Sequence, residues 1–201
     1  MLDAFRRKDC DYMKSALIVS NNDKAKIFLE EALSIHEFSN IVISSTGCEA
    51  RRTLMEMPFD IVIINTPLSD EFGHDLALTI TEKYSSGVML IIKSEMADEI
   101  SSKVEDYGVF VIPRPISKNF FYQALKFVSA SRTKILGLEN ENIKLQNKIE
   151  EIRLVNRAKC VLIQYLNMTE PQAHRYIEKQ AMDMRSTRKE VAKDILKTYE
   201  S

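Results

Sequence analysis

The chain has 201 residues, enough for one core of about 100 to 150 residues and a smaller second module. Charged residues make up 28% and apolar residues 45%, and five Gly with five Pro exclude a low-complexity chain. The net charge of −1 is unevenly spread: from residue 130 onward 14 Lys and Arg face 10 Asp and Glu, whereas the first 129 residues hold 14 basic and 19 acidic residues. The C-terminal part is therefore the one suited to meet a polyanion.

The longest apolar run, "VMLII" at 88–92, falls far short of the roughly 20 residues that cross a bilayer. The opening "MLDAFRRKDCDYMK" carries charges where a signal peptide has its apolar centre, so a cytoplasmic protein without a membrane partner is expected. Cys10, Cys48 and Cys160, like His36, His74 and His174, are too scattered for a disulfide framework or a metal site. No cofactor is expected. No nucleophile, base and orienting group converge in sequence, which argues against an enzyme.

Through residue 128, short β-branched runs alternate with segments of helical period. The runs are "ALIVS" (16–20), "NIVIS" (40–44), "DIVIIN" (60–65), "VMLIIK" (88–93) and "VFVI" (109–112). Their nearly continuous apolar character marks strands buried on both faces, joined by helical crossovers. The pattern predicts an α/β domain with a five-stranded parallel sheet. Its working groove should lie at the carboxyl ends of the strands.

After Pro115 no proline occurs until Pro171, and residues 117–166 keep a helical pattern throughout. A helix of this length spans about 70 Å. Its middle carries heptads, with Ile135, Asn142, Ile149 and Asn156 at a and Leu138, Leu145 and Ile152 at d. These predict a parallel two-stranded coiled coil, with Asn142 fixing the register. The flanking charges agree in part: Lys134 can meet Glu139 of a second copy, whereas Lys148 faces Arg153. An intramolecular helical hairpin is the alternative.

Two shorter helices follow. Thr169, Pro171 and Gln172 open the first, and the capping box "TRKE" at 187–190 opens the second. Ala173, Ile177, Ala181 and Met184 form the inward stripe of one, and Val191, Ala192, Ile195 and Tyr199 that of the other. With the end of the long helix they make a three-helix core, leaving Gln172, Arg175 and Lys179 outside on one helix and Lys189, Lys193 and Lys197 on the next. Tyr165 and Tyr176 are read as core residues from their helical spacing, with stacking on nucleic-acid bases as the alternative.

Residues 14–128 resemble a response-regulator receiver domain. The resemblance rests on "LIVSNND" at the end of the first strand, "IINTPLSDEFG" with Gly73 at the family's distance from the acceptor position, "LIIKS", and "PRP" with Arg114 before Pro115. The family holds magnesium on carboxylates, as that hard ion requires. Here Ser20 and Asn21 stand for the acidic pair, Asn65 for the phosphoacceptor, Lys93 for a Thr or Ser and Arg114 for a Lys. A degenerate phosphoacceptor groove, a pseudo-receiver without aspartyl phosphorylation, is therefore expected. Asp23 and Asp70 are the expected partners of its cations.

The segment from about 140 to 199 is similar to the ANTAR domain of transcription antitermination regulators. Arg157, Ala158 and Lys159 carry the basic-Ala-Lys motif; Glu170 and Ala173, then Ala181 and Met182, and Arg188 with Ala192 complete it, while Cys160 stands where Gly is common. The resemblance implies a flavodoxin-like receiver, a long coiled-coil helix and an all-α three-helix module. Its divisions would be an N-terminal extension (1–13), a pseudo-receiver (14–128), a coiled-coil linker (129–156) and an RNA-binding module (157–201).

A transcription regulator of this kind acts as a homodimer that binds RNA hairpins in nascent leader transcripts. A protein partner or sensor would engage its receiver domain. The candidate RNA-binding residues are Arg157, Lys159, Gln172, Arg175, Lys179, Arg188, Lys189 and Lys193. A DNA-binding regulator and a scaffold that acts by protein docking are the competing readings.

Overall fold

The computed structural model describes residues 14–36 and 38–199. The expected extension at 1–13, with Cys10, lies outside them. The chain divides into two compact units, residues 1–136 and 137–201.

In the first unit the elements run β1 (Lys14–Ser20), α1 (Asp23–Ser34), β2 (Phe38–Ser44), α2 (Gly47–Glu56), β3 (Ile61–Asn65), α3 (His74–Lys83), β4 (Gly87–Lys93), α4 (Ala97–Val104), β5 (Val109–Arg114) and the start of α5 (Lys118–Leu166). All strand pairs are parallel and the order is β2-β1-β3-β4-β5. Each expected run is a strand, and all but the third begin or end beyond it.

Alternation along each strand builds two cores. Leu17, Val19, Val62, Ile64, Val88, Leu90 and Ile92 face α2, α3 and α4 through Ala50, Leu54, Leu76, Ile80, Ile100 and Val104. On the other face Ala16, Ile18, Ile61, Ile63, Met89 and Ile91 meet α1 and α5 through Leu29, Leu33, Phe121, Ala124 and Leu125. A strand covered on both faces has no reason to alternate with polar residues, hence the unbroken apolar runs. The direction of winding reverses between β1 and β3, where Ser20 and Asn65 are register partners. That places both residues at the mouth of the carboxyl-end groove.

In the second unit the end of α5 packs with α6 (Glu170–Asp183) and α7 (Arg188–Tyr199). Ala158, Val161, Leu162, Ala173, Ile177, Ala181, Val191, Ala192, Ile195 and Leu196 form its core. Two expectations are corrected. Met184 is 59% exposed, because α6 has ended before it can turn inward, and the buried Leu196 completes the α7 stripe. Tyr165 is 56% exposed and Tyr176 37%: the last α5 residue in the core is Leu162, four residues before the helix ends, and Tyr165 covers Tyr199 instead, with ring centroids 5.6 Å apart.

Both helix starts are capped as expected. Gln172 Oε1 accepts from Thr169 N at 2.9 Å, and Glu190 Oε2 accepts from Thr187 N at 2.8 Å while Thr187 Oγ1 accepts from Glu190 N at 3.2 Å.

Candidate functional site

At the centre of the groove of the first unit, neutral groups hydrogen-bond to one another. Ser20 and Asn65 are both buried, and Asn65 Nδ2 donates to Ser20 Oγ at 2.9 Å. The same hydroxyl accepts from Asn22 N at 3.1 Å, and Asn22 Oδ1 caps α1 by accepting from Ala25 N at 3.0 Å. Arg114 reaches across from β5 and donates to the carbonyl oxygen of Thr66, whose own N–H and hydroxyl both donate to Ile91 O. Asn21 and Lys93 are exposed at the rim. An amide carbonyl has none of the nucleophilic charge of a carboxylate, and the Asn65 amide is spent on the Ser20 hydroxyl. Among the described residues no cluster of three or more His, Cys, Asp or Glu stands ready for a metal ion.

The two carboxylates expected to pair with the groove's cations are engaged elsewhere. Asp23 lies 3.0 Å from Lys26 Nζ, one turn along α1. Asp70 turns away to the start of α2, accepting from Gly47 N and Cys48 N at 2.9 Å each. Those two amides hold the Asp70 carboxyl below the usual range. Next to it Glu71 takes a two-pronged contact from Arg51, at 2.5 and 2.9 Å. That bridge raises the Arg51 guanidinium pKa. A side chain at Gly47 would put its Cβ 1.7 Å from Glu71 Oε1, so glycine there is what admits the bridge. Gly73, at φ 107, starts α3 with its missing Cβ 3.0 Å from Ile64. The loop after the acceptor position is thus tied to α2, a device the sequence reading did not find.

The seam residues of α5 are solvent-facing: Ile135, Leu138, Leu145, Ile149 and Ile152 are each more than half exposed. At 100° per residue, Ile149 lies opposite the α5 residues that enter the three-helix core, Leu154, Val155, Ala158, Val161 and Leu162, while Ile152 stands at the flank, about 60° from Val155. The two faces of α5 are therefore separate, and packing of the core leaves the heptad stripe uncovered.

Of the seven candidate basic residues of the second unit, five fall into two groups. In the first, each cation already has an anion. Lys159 is only 16% exposed and pairs with Glu170 at 2.8 Å; Lys189 meets Glu150 at 2.5 Å; Arg188 meets Glu151 at 3.2 Å and Glu178 at 3.8 Å. Lys189 holds the Glu150 carboxyl below its ordinary range, and Lys159 does the same to Glu170. In the second group Arg175 and Lys179 are exposed one turn apart on α6, opposite Ala173 and Ile177, with no ion pair among the described residues. Gln172 shares their face, although its carbonyl oxygen serves the cap. Arg157 and Lys193 are exposed, on α5 and α7.

Comparison with known proteins matches the second unit to a domain family and the first to a fold. Residues 144–196 match the ANTAR domain. Over 190 residues the chain is 26% identical to the transcriptional regulatory protein PdtaR of Mycobacterium tuberculosis, covering 94% of this chain and 93% of the relative. The signal receiver domain of an HD domain-containing protein from Pseudomonas fluorescens Pf-5 superposes with a TM-score of 0.56 at 17% identity, over 62% of this chain and 93% of that one. The chemotaxis response regulator CheY4 of Vibrio cholerae does so with a TM-score of 0.51 at 15% identity, over 58% and 98%. The chain therefore joins a domain of response-regulator receiver fold to a C-terminal ANTAR domain.

Proposed function

We propose that this protein is a cytoplasmic transcription antitermination regulator that binds hairpin RNA in nascent leader transcripts as a dimer, without aspartyl phosphorylation of its receiver domain. The observation that carries the reading is the ANTAR match at 144–196, which coincides with a three-helix core whose outer faces bear Arg157, Arg175, Lys179, Arg188, Lys189 and Lys193. Such cations neutralise phosphates, and the exposed rings of Tyr165 and Tyr176 suit stacking on splayed loop bases.

The uncovered heptad stripe supports dimerisation, since five exposed Ile and Leu side chains on one helix face gain by burial against a second copy. The Asn65–Ser20 hydrogen bond supports a receiver that signals by contact instead of phosphoryl transfer. No helix among the described residues is long and apolar enough to cross a membrane. Fluorescence anisotropy with hairpin RNA and with duplex DNA of the same sequence tests the reading: tighter binding of the hairpin is expected, and equal or tighter binding of the duplex overturns it.

A further inference from the structure

The first turn of α7 carries two cations, Arg188 and Lys189, at the helix end where the peptide dipoles favour negative charge. Helix stability alone opposes them there. Three carboxylates from two other helices converge on the pair: Glu150 and Glu151 of α5 at 2.5 and 3.2 Å, and Glu178 of α6 at 3.8 Å. Holding α7 in place does not require these contacts. Val191, Ala192, Ile195 and Leu196 already anchor it in the core, Glu190 caps it, and ion pairs this exposed contribute little to folding. What the contacts do accomplish is to occupy the donors of a guanidinium and an ammonium with oxyanions, the groups a phosphate would otherwise present.

We infer that Glu150 and Glu151, assisted by Glu178, are internal counter-ions that an RNA phosphate must displace from Arg188 and Lys189, and that they thereby set the affinity and salt dependence of the ANTAR surface. This rests on the RNA-binding reading above. Displacement exchanges one oxyanion for another, so the gain per contact is small and the released carboxylates repel neighbouring phosphates. An RNA that brings phosphates to both cations is favoured over one that reaches only one of them. The carboxylates convert a general polyanion attractor into a surface that demands a matched ligand.

The test uses the full chain, a pool of RNA hairpins with randomised loops, and immobilised heparin as a generic polyanion. The variant is Glu150→Gln with Glu151→Gln. The control is Asp183→Asn with Asp194→Asn, which removes the same charge from the second unit at exposed positions without an ion pair among the described residues. The paired variant should bind the hairpin pool about threefold to tenfold more tightly than the control. Its salt slope should be steeper by about 0.7 to 0.9 for each cation released. It should leave heparin at higher salt, and adding Arg188→Gln with Lys189→Gln should abolish the gain.

A shift no larger than the control's, or a gain that survives loss of Arg188 and Lys189, overturns the inference. A paired-variant shift on heparin without any preference for hairpin RNA over duplex DNA leaves the masking in place and removes the RNA reading instead.

Discussion

Arg132 Nη1 lies 2.6 Å from Asp60 Oδ1, at the end of the sheet opposite Asn65. Asp60 Oδ2 accepts from Ser15 N at 2.7 Å and Ser15 Oγ at 3.0 Å, and Arg132 Nε donates to Ser85 O at 2.7 Å. One ion pair thus joins α5 to the start of β1, the start of β3 and the turn before β4. The Arg132 and Asp60 side chains are 19% and 9% exposed, so removal of either strands the other in a poorly solvated place. Arg132→Ala should destabilise the first unit by about 2 to 4 kcal/mol in urea unfolding. Arg132→Lys should cost less, because an ammonium keeps the charge but not the second contact to Ser85. An unfolding midpoint equal to wild type in Arg132→Ala would show the pair to be dispensable.

Phosphorylation chemistry should be absent from the groove. Incubation with acetyl phosphate and magnesium should leave the intact mass unchanged, and Asn65→Asp alone should not restore the reaction, because Ser20 and Asn21 still supply no carboxylate for the metal. Asn65→Ala, which strips the buried Ser20 hydroxyl of its amide donor, should cost about 1 to 2 kcal/mol of stability. A labile added phosphoryl group that maps to this groove in the wild-type protein would end the pseudo-receiver reading.

Dimerisation should fail when the α5 stripe is charged. Leu145 and Ile149 are 63% and 52% exposed in the single chain, so replacing both with Lys leaves the helix intact and places cations only where a second copy would sit. Light scattering should then report the monomer mass. A variant that remains dimeric assigns the interface to the sheet domain.

The Asp70 contact to α2 predicts a pH dependence. Its folded pKa is lowered, chiefly by the Gly47 and Cys48 amides, so its contribution is fully present above the unfolded value of about 3.9 and is lost as pH falls through the lower folded value. Wild type should therefore melt above Asp70→Asn at neutral pH, and the two melting curves should converge below about pH 4. Melting temperatures that stay a constant interval apart from pH 7 down to pH 2 would argue against the assignment.

What could be read in the sequence was whatever repeats along it. Strands covered on both faces announce themselves as unbroken apolar runs, and α5 as 49 residues without a proline. Contacts between distant charges leave no such trace. Nothing in the period of either segment joins Asp60 to Arg132, or Asp70 to the amides of Gly47 and Cys48. The same limit applied to the basic surface: cations could be counted, but their anions, Glu150, Glu151, Glu170 and Glu178, sit on other helices or beyond a turn. Tyr165 and Met184 were misplaced because spacing fixes a direction around a helix without saying where the core along it ends.

The pairing pattern finally ranks the candidate RNA contacts. Lys159 is largely covered and held by Glu170, whereas Arg175 and Lys179 stand exposed on the outer face of α6 without an ion pair among the described residues. A phosphate reaching α6 displaces no carboxylate, so its contact retains the whole Coulomb gain. Arg175→Ala with Lys179→Ala should weaken hairpin binding by about 1 to 3 kcal/mol and flatten the salt slope by roughly 1.4 to 1.8, the value for two lost phosphate contacts. Lys159→Ala alone should cost less than either α6 substitution, since it removes a cation already neutralised, while Arg157→Ala tests the neighbouring motif position on α5. Helix content by circular dichroism should be unchanged in all of them, because none of these side chains enters the core. A larger loss from Lys159→Ala than from the α6 pair would move the contact surface to the end of α5.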